Sequence, residues 1–499
     1  MSAMAGQCVV HAATLRGVEA VPVEVEVVVG NGMPGFFIVG MPDAAIQESR
    51  ERVRAAIRAS GFSMPNERVV VNLAPGSLRK TGSGFDLPIA VGLLIATKQI
   101  DARHARARLL VGELSLEGAV RPVAGALAYA ICARERGMDV VCGVPDGGIV
   151  KVEGTRQLTA PSLSSFRRGD FEEGRFVPPE AAHTAADFAD IAGHEMAKRA
   201  LQIAAAGGHG VLMMGPPGSG KTMLASRLPS ILPPLTSDEA LQTALIHSVA
   251  GEDPAPAFAG IRPFRSPHHT ASAAGLVGGG SPPRPGEISL AHHGVLFLDE
   301  LAEFKPSTLQ ALRQPLESGR VVITRADGNV AFPARFMLIA ASNPCPCGYY
   351  GDDERSCTCG LAQMRAYRGR IGGPLMDRID LHIDVRRIAP SEVLATGSGT
   401  SSEKLREAVM RAREYASWRR ARQDGKDGSA PSIVQECGLS EADAQFYEQA
   451  ARRMRMSGRA IMRTLAVART AADMEEAPQV GRAHLCEALA FRVREADPS

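Results

Sequence analysis

Residues 215–222, Gly-Pro-Pro-Gly-Ser-Gly-Lys-Thr, fit the spacing G-x-x-x-x-G-K-T. Backbone N–H groups of Gly215, Pro216, Pro217, Gly218, Ser219 and Gly220, proline nitrogens excepted, then curl around phosphate oxygens at a helix N-terminus. Lys221 reaches the outer phosphates of a nucleotide, and Thr222 offers its hydroxyl to Mg²⁺. Further on, "HHGVLFLDELAEF" ends an apolar run in Asp299-Glu300. One carboxylate there suits the Mg²⁺ and the other an attacking water. Asn343 closes a third apolar run, "RFMLIAASNP", where its amide can orient that water and sense the γ-phosphate. Arg378, between the acids of "MDRID", is either a surface ion pair or an arginine finger for a neighbouring subunit's nucleotide. Arg459, with Arg463 one turn later, is the favoured sensor of nucleotide state. Finally, Cys345, Cys347, Cys357 and Cys359 bring four thiols into one short loop.

These side chains need a particular scaffold. Residues 211–215 form a short apolar run suited to a buried parallel strand, followed by a helical stretch. Two more buried strands must deliver Asp299-Glu300 and Asn343 at their C-terminal ends, beside the phosphate loop. In this order the parts are those of an AAA+ ATPase. Between phosphate loop and acid pair lies "IRPFRSPHHTASAAGLVGGGSPPRPGEISLAHHG", too irregular for one helix, so helix 2 is expected to be interrupted by a protruding loop. "RVVITRADGNVAFPARF" reads as a hairpin with Arg325 near its tip. Both protrusions are expected to face the pore of a ring, where such loops grip a polymer.

"RPFRSPHHT", "PRPGEISLAHHGVLFLDELAEF", "SNPCPCGYYGD" and "GPLMDRIDLHI" closely resemble the ComM/YifB family of Mg-chelatase-like AAA+ ATPases, and the resemblance covers essentially the whole chain. It implies an ATP-driven ring, a hexamer, with DNA helicase and branch-migration activity on single-stranded and branched DNA. The setting it implies is integration of incoming DNA by homologous recombination in natural transformation, with recombination proteins as further partners. ATP and Mg²⁺ are the implied cofactors. The family motifs fall on residues 215–222, Asp299, Glu300, Asn343, Arg378 and a sensor arginine near Arg459.

The expected fold class is α/β: an AAA+ P-loop core with a helical lid, preceded by an α/β domain like ribosomal protein S5 and the Lon protease. Expected boundaries are 1–165 for the first domain, 166–187 for a linker, 188–386 for the ATPase core and 387–499 for the lid. The first domain reads β-β-α-β-α-β-α with a mixed sheet, its strands beginning at "VEVEVVVG". An ATP-dependent protease is therefore a rival reading. In the Lon alignment the nucleophile's position falls on Gly84, beside Ser83, and the base's on Leu127. A serine hydroxyl without its base is a weak nucleophile, so a non-catalytic scaffold is the better reading. The stretch from about 157 to 190 is polar and separates the domains. A basic helix follows the core, with eight Lys/Arg from Lys404 to Lys426 and the single Trp418; it suits nucleic acid or a solvated lid equally.

With 499 residues, 45% hydrophobic and 22% charged, the chain has room for several cores. A net charge of +2 excludes neither nucleic acid nor protein partners. No leader and no run of about 18 apolar residues is read, so no membrane association and a cytoplasmic location are expected. Thiols stay reduced there, which argues against disulfides among the clustered cysteines. Paired thiolates suit structural Zn²⁺; redox sensing and free thiols stand as alternatives. The other five cysteines read as core filler. A Mg-chelatase-type motor acting on a protein partner is the alternative function.

Overall fold

The computed structural model describes residues 6–144, 148–176, 186–325, 328–388, 399–423 and 432–492. Its first layer is one eight-stranded sheet in the order β10-β9-β8-β5-β1-β2-β4-β3. Strands β1 (Gly6–Arg16) and β2 (Glu19–Gly30) pair antiparallel along their whole length, turning at Gly17 with φ +68°. β2 alternates strictly: Val23, Val25, Val27 and Val29 are buried while the residues between them face outward. β3 (Gly35–Val39) and β4 (Arg68–Ala74) follow, with α1 (Ala44–Ala59) between them, capped by the Asp43 carboxylate on the Ile46 N–H at 2.9 Å. Helix α2 (Asp86–Ala96), "DLPIAVGLLIA", is apolar on every side because it is buried on nearly every side.

β5 (Arg108–Leu110), α3 (Ala126–Glu135), β8 (Asp139–Cys142), β9 (Gln157–Thr159) and β10 (Glu172–Glu173) complete this layer, with β6 (Glu113–Leu114) and β7 (Val120–Arg121) as a separate small ribbon. The sheet is mixed, as expected. Two expectations are corrected. Strand β1 precedes the first one read from sequence. The polar stretch read as a separator from residue 157 begins inside the sheet: β9 is wholly buried, Leu163 and Phe166 are core residues, and β10 pairs with β9. The link between domains therefore starts later than residue 166.

The second layer is a five-stranded parallel sheet ordered β12-β15-β18-β11-β19: β12 (Phe264–Arg265), β15 (Val295–Leu298), β18 (Met337–Ser342), β11 (Val211–Met214) and β19 (Leu381–Asp384). Strands covered on both faces read as unbroken apolar runs, which is why three of the five were legible. Val211, Met213, Phe297 and Ile339 face α4 (Glu195–Gly207) and the C-terminal helices. Leu212, Leu296, Leu298 and Leu338 face a second cluster with Leu301, Phe304 and Leu375.

Helix α6 (Ser237–Ala250) carries a capping box of Thr236 and Glu239 and stops at Gly251 in the left-handed conformation. The segment expected to be a protruding loop also contributes edge strand β12. It then forms a short helix (Ala273–Val277), a ribbon of β13 (Gly278–Gly279) with β14 (Arg284–Pro285), and a turn of helix (Glu287–Leu290). Arg265 ties its ends together, reaching Glu287 at 2.7 Å and Glu252 at 3.1 Å. The expected hairpin is present as β16 (Arg320–Arg325) and β17 (Gly328–Pro333), paired from Arg320↔Pro333 to Arg325↔Gly328. The Arg325 side chain and residues 326–327 lie outside the described residues.

Beyond the core, the helix Ser402–Gln423 is followed, among the described residues, by Ile433–Cys437, Glu441–Arg453, Gly458–Met474 and Arg482–Ala490. They share a buried cluster with α4 and the central sheet through Val409, Leu465, Ala468 and Leu485. The two sheet layers also join. Ala13, Leu109, Leu127 and Tyr129 meet Leu235, Ala240 and Ala244, while Ser248 of α6 accepts the Gly125 N–H through its carbonyl at 2.7 Å and the Leu127 N–H through its hydroxyl at 3.2 Å.

Candidate nucleotide site and cysteine cluster

β11 ends at Met214 and α5 (Lys221–Arg227) begins seven residues after it, so the six residues 215–220 form the connecting loop. At Gly215 a Cβ would lie 2.0 Å from the Val385 carbonyl, which requires glycine. Gly218 and Gly220 sit at φ +78° and +86°, and at Gly218 a side chain would meet nothing within 4 Å. The loop thus leaves an open cradle above it. Ser219 Oγ is buried there with no hydrogen-bond partner among the described residues, the kind of orphaned polar atom a phosphate oxygen satisfies. Lys221 Nζ donates to the carbonyls of Gly215 (2.8 Å) and Pro216 (2.9 Å) and to Asn343 Oδ1 (3.4 Å). Burial lowers its pKa, opposed by the charges of Asp299 and Glu300.

The acid pair stands where a cation would complete it. Thr222 Oγ1 donates to Asp299 Oδ2 at 2.7 Å, so both expected Mg²⁺ ligands already meet. Glu300 has φ +52°, a left-handed conformation uncommon for a residue with a side chain, and its N–H donates to Asp299 Oδ1 at 2.9 Å. Its Oε2 lies 3.3 Å from His269 Nδ1, and His269 stacks against His268 with ring centres 4.1 Å apart. His269 carried no assignment from sequence. The only signal was its place four residues after Arg265, the end of the unread strand β12. Together these donors fit Mg²⁺ and a nucleoside triphosphate.

The arginines group elsewhere. Arg378 and Arg459 both reach Glu317, Arg459 at 3.4 Å, so one acid joins the two residues assigned to finger and sensor. Arg378 Nε is buried without a hydrogen-bond partner among the described residues. Arg463 instead donates to Asp380 at 2.6 Å and to the Arg378 carbonyl at 2.8 Å. Burial would raise the Asp380 pKa, but hydrogen bonds and charge from His209 and Arg463 bring it down to about 2. Arg463 is thus a strut between helix and core, and Arg459 the exposed member. Glu317 escaped the sequence reading because nothing in "RQPLESG" announces its partners.

Within the cysteine loop, Cys345 Sγ lies 3.4 Å from Cys347 Sγ and 3.6 Å from Cys357 Sγ, and all four sulfurs lie within 4.8 Å of one another. Tetrahedral zinc–thiolate bonds of about 2.3 Å set sulfurs about 3.8 Å apart, so the donor set fits Zn²⁺. Backbone N–H groups of Tyr349 and Thr358 lower the Cys347 thiol to about 6. The loop rests on the phosphate loop: a Cβ at Gly348 would come within 2.7 Å of the Pro217 ring, and Arg387 bridges the Pro217 carbonyl (3.3 Å) to Asp352 (3.1 Å). Of the cysteines read as core filler, Cys132 and Cys437 are buried, Cys8 and Cys142 are half-buried, and Cys486 is exposed, a correction for the last.

At the Lon-like turn, a Cβ on Gly84 would touch Val111 at 3.3 Å, and Leu127 is buried against α6. Neither position carries a nucleophile or a base. The basic helix Ser402–Gln423 spends much of its charge internally. Arg413 donates to the Ala205 and Ala206 carbonyls, Arg419 pairs with Asp473 and Glu436, Arg420 with Glu436, and Arg422 lies over Trp418 at 4.2 Å. The packed reading of that helix is favoured over the nucleic-acid one. No helix among the described residues is long and apolar enough to cross a membrane.

Three family models match consecutive stretches: "Subunit ChlI of Mg-chelatase" over residues 25–145, "Magnesium chelatase, subunit ChlI" over 187–393, and "Magnesium chelatase, subunit ChlI C-terminal" over 399–492. The chain is 42% identical to protein YifB of Salmonella typhimurium over 97% of its own length and 96% of that protein. It is 41% identical to competence protein ComM of Haemophilus influenzae, over 97% of each. A magnesium-chelatase 67 kDa subunit of Chlorobaculum parvum is 29% identical over 32% of this chain and 23% of that protein.

Proposed function

From a chain that belongs to the ComM/YifB family of Mg-chelatase-like AAA+ proteins, we propose an ATP-hydrolysing motor that assembles into a ring, a hexamer, and moves branched and single-stranded DNA during recombination. The observation that carries the hydrolytic half is the meeting of Thr222 and Asp299 beside an open phosphate cradle, with Glu300 next in the chain. When bound, Mg²⁺·ATP supplies the phosphoryl group whose transfer to water releases the driving energy. Thr222 and Asp299 hold the cation, and Lys221 leaves the loop carbonyls to neutralise the outer phosphates. Glu300 takes the proton of the attacking water, and Asn343 fixes that water's position. Arg378 and Arg459, joined by Glu317, act together on a neighbouring subunit's nucleotide.

The DNA half is supported by near-complete coverage of the competence protein, where the chelatase subunit matches only a third of the chain. Zn²⁺ on the four cysteines has a structural role in this reading. The chain's first domain is a non-catalytic platform, and its C-terminal helices are the lid. A chelatase-like motor on a protein partner is the second reading, favoured by the three family models. The deciding experiment follows a labelled four-way junction with ATP, comparing wild type with Glu300→Gln. ATP-dependent resolution lost in the variant supports the DNA motor. ATP turnover without binding or movement of the junction overturns it in favour of the second reading.

A further inference from the structure

We infer that Glu317 is a positioning residue for the proposed reaction: its carboxylate stands where a phosphate would and holds Arg378 until the terminal phosphate of a neighbouring subunit's nucleotide takes the arginine over. This rests on the reading of Arg378 as an arginine finger. Three separate segments meet at the carboxylate. Glu317 lies near the end of the short helix Arg313–Ser318, Arg378 two residues after the helix Gly373–Met376, and Arg459 in the first turn of the helix Gly458–Met474. Both arginines reach the same oxygen, Oε1, Arg459 at 3.4 Å and Arg378 closer. One carboxylate thus keeps two cations side by side, and within the trio one positive charge is left over.

The two arginines are not held alike. The Arg459 and Glu317 side chains are 64% and 48% exposed, so water screens that pair. The Arg378 side chain is only 9% exposed, and its guanidinium is incompletely used. Nη1 donates to the Pro374 carbonyl and Nη2 to Glu317, while Nε is buried without a hydrogen-bond partner among the described residues. Nε and Nη2 form one edge of the guanidinium fork, and a phosphate offers that edge two oxygens where Glu317 gives one. The exchange replaces one charge-assisted bond by two and satisfies an orphaned donor. Only the side chain has to swing. The Arg378 carbonyl accepts Arg463 Nη1 at 2.8 Å, and Arg463 is itself tied to Asp380 at 2.6 Å, so the backbone there is clamped. Next to Glu317, Ser318 Oγ lies 2.9 Å from the Gln314 carbonyl and 3.0 Å from that of Arg320, so a shift of Glu317 reaches the base of β16.

The test is equilibrium binding of ADP and of a non-hydrolysable ATP analogue to the full-length protein, by calorimetry at one protein concentration for all variants. Glu317→Gln keeps the side chain's size and removes the charge that competes with phosphate. Analogue binding is expected to tighten about three- to tenfold, the size of the coupling between contacting side chains. ADP, which lacks the terminal phosphate, binds as in wild type. In an Arg378→Ala background the same substitution changes neither ligand. Arg378→Ala alone weakens the analogue and spares ADP. With that result in hand, three outcomes overturn the role of Glu317 and leave the finger reading standing: unchanged or weaker analogue binding in Glu317→Gln, equal shifts for both nucleotides, or the same tightening without Arg378. If Arg378→Ala spares both ligands, the finger reading falls, and the role of Glu317 with it. Should Arg378→Ala melt below wild type, Arg378→Gln replaces it under the same criteria.

Discussion

Glu300 holds a left-handed backbone conformation while its carboxylate contacts His269 instead of facing the cradle freely. That contact comes from the strand and loop after α6, so Glu300, the proposed general base, and that segment are in direct touch. His269→Ala frees the carboxylate, and turnover without DNA is expected to rise about two- to tenfold by ordinary positioning effects; turnover equal to or below wild type would count against this role. Glu300→Gln removes the base while leaving Thr222, Asp299 and Lys221 in place. Its turnover is expected to fall by about 10²–10⁴ with nucleotide affinity retained, read by steady-state hydrolysis beside equilibrium binding. Residues 215–222, Asp299-Glu300 and Asn343 were legible because their chemistry demands type and spacing together. His269 and Glu317 were not, because a lone histidine or glutamate acquires meaning only from what folding brings beside it.

The cysteine loop is the element whose removal is most telling. Its Gly348 leans on Pro217 and its Asp352 and Glu354 on Arg387, so loosening it loosens the phosphate loop. Metal analysis of purified protein should find about one Zn²⁺ per chain, as four thiolates close one tetrahedral site. Cys357→Ser or chelation should lower both the melting temperature and ATP affinity; loss of metal with affinity intact would confine the loop to a local role. A second element, the helix Gly458–Met474, is pinned by Arg463 to Asp380. Because His209 and Arg463 together hold the Asp380 pKa at about 2, below its unfolded value near 3.9, the ionised carboxylate contributes stability in full above about pH 5. That joint contribution, about 2 kcal/mol, is lost as pH falls from about 5 through 2. Asp380→Asn should flatten that limb of an acid-unfolding curve. Elements were legible in proportion to their burial pattern: β2, β11, β15 and β18 announce themselves, whereas β12 and β10 are two residues each and carry no periodicity to read.

At the scale of the proposed ring, Arg378 is assigned to the nucleotide of a neighbouring copy. Chains carrying Glu300→Gln and chains carrying Arg378→Ala should each be nearly inactive. Mixed in equal amounts before assembly, they should recover about a quarter of wild-type turnover, since about one interface in four then joins an intact base to an intact arginine. Absence of recovery, with mixed rings verified by mass, would place Arg378 in its own chain's site or in none. The sequence could suggest a ring through the order of its motifs. It could not show how tightly the first domain would be packed onto the core, because Leu127 and Ser248 lie 121 residues apart and neither is distinctive alone.

That seam has a mechanical meaning. Gly125 and Leu127 grip the C-terminal end of α6, and the same chain runs on through Arg265 to His269 at the acid pair. Separating the first layer from α6 would expose Leu127, Tyr129, Leu235 and Ala244 to water, so the two do not slide independently. The eight-stranded sheet and α6 therefore behave as one rigid piece, in which the hydrogen bonds at Ser248 fix the first layer to the element that leads into the His269 segment.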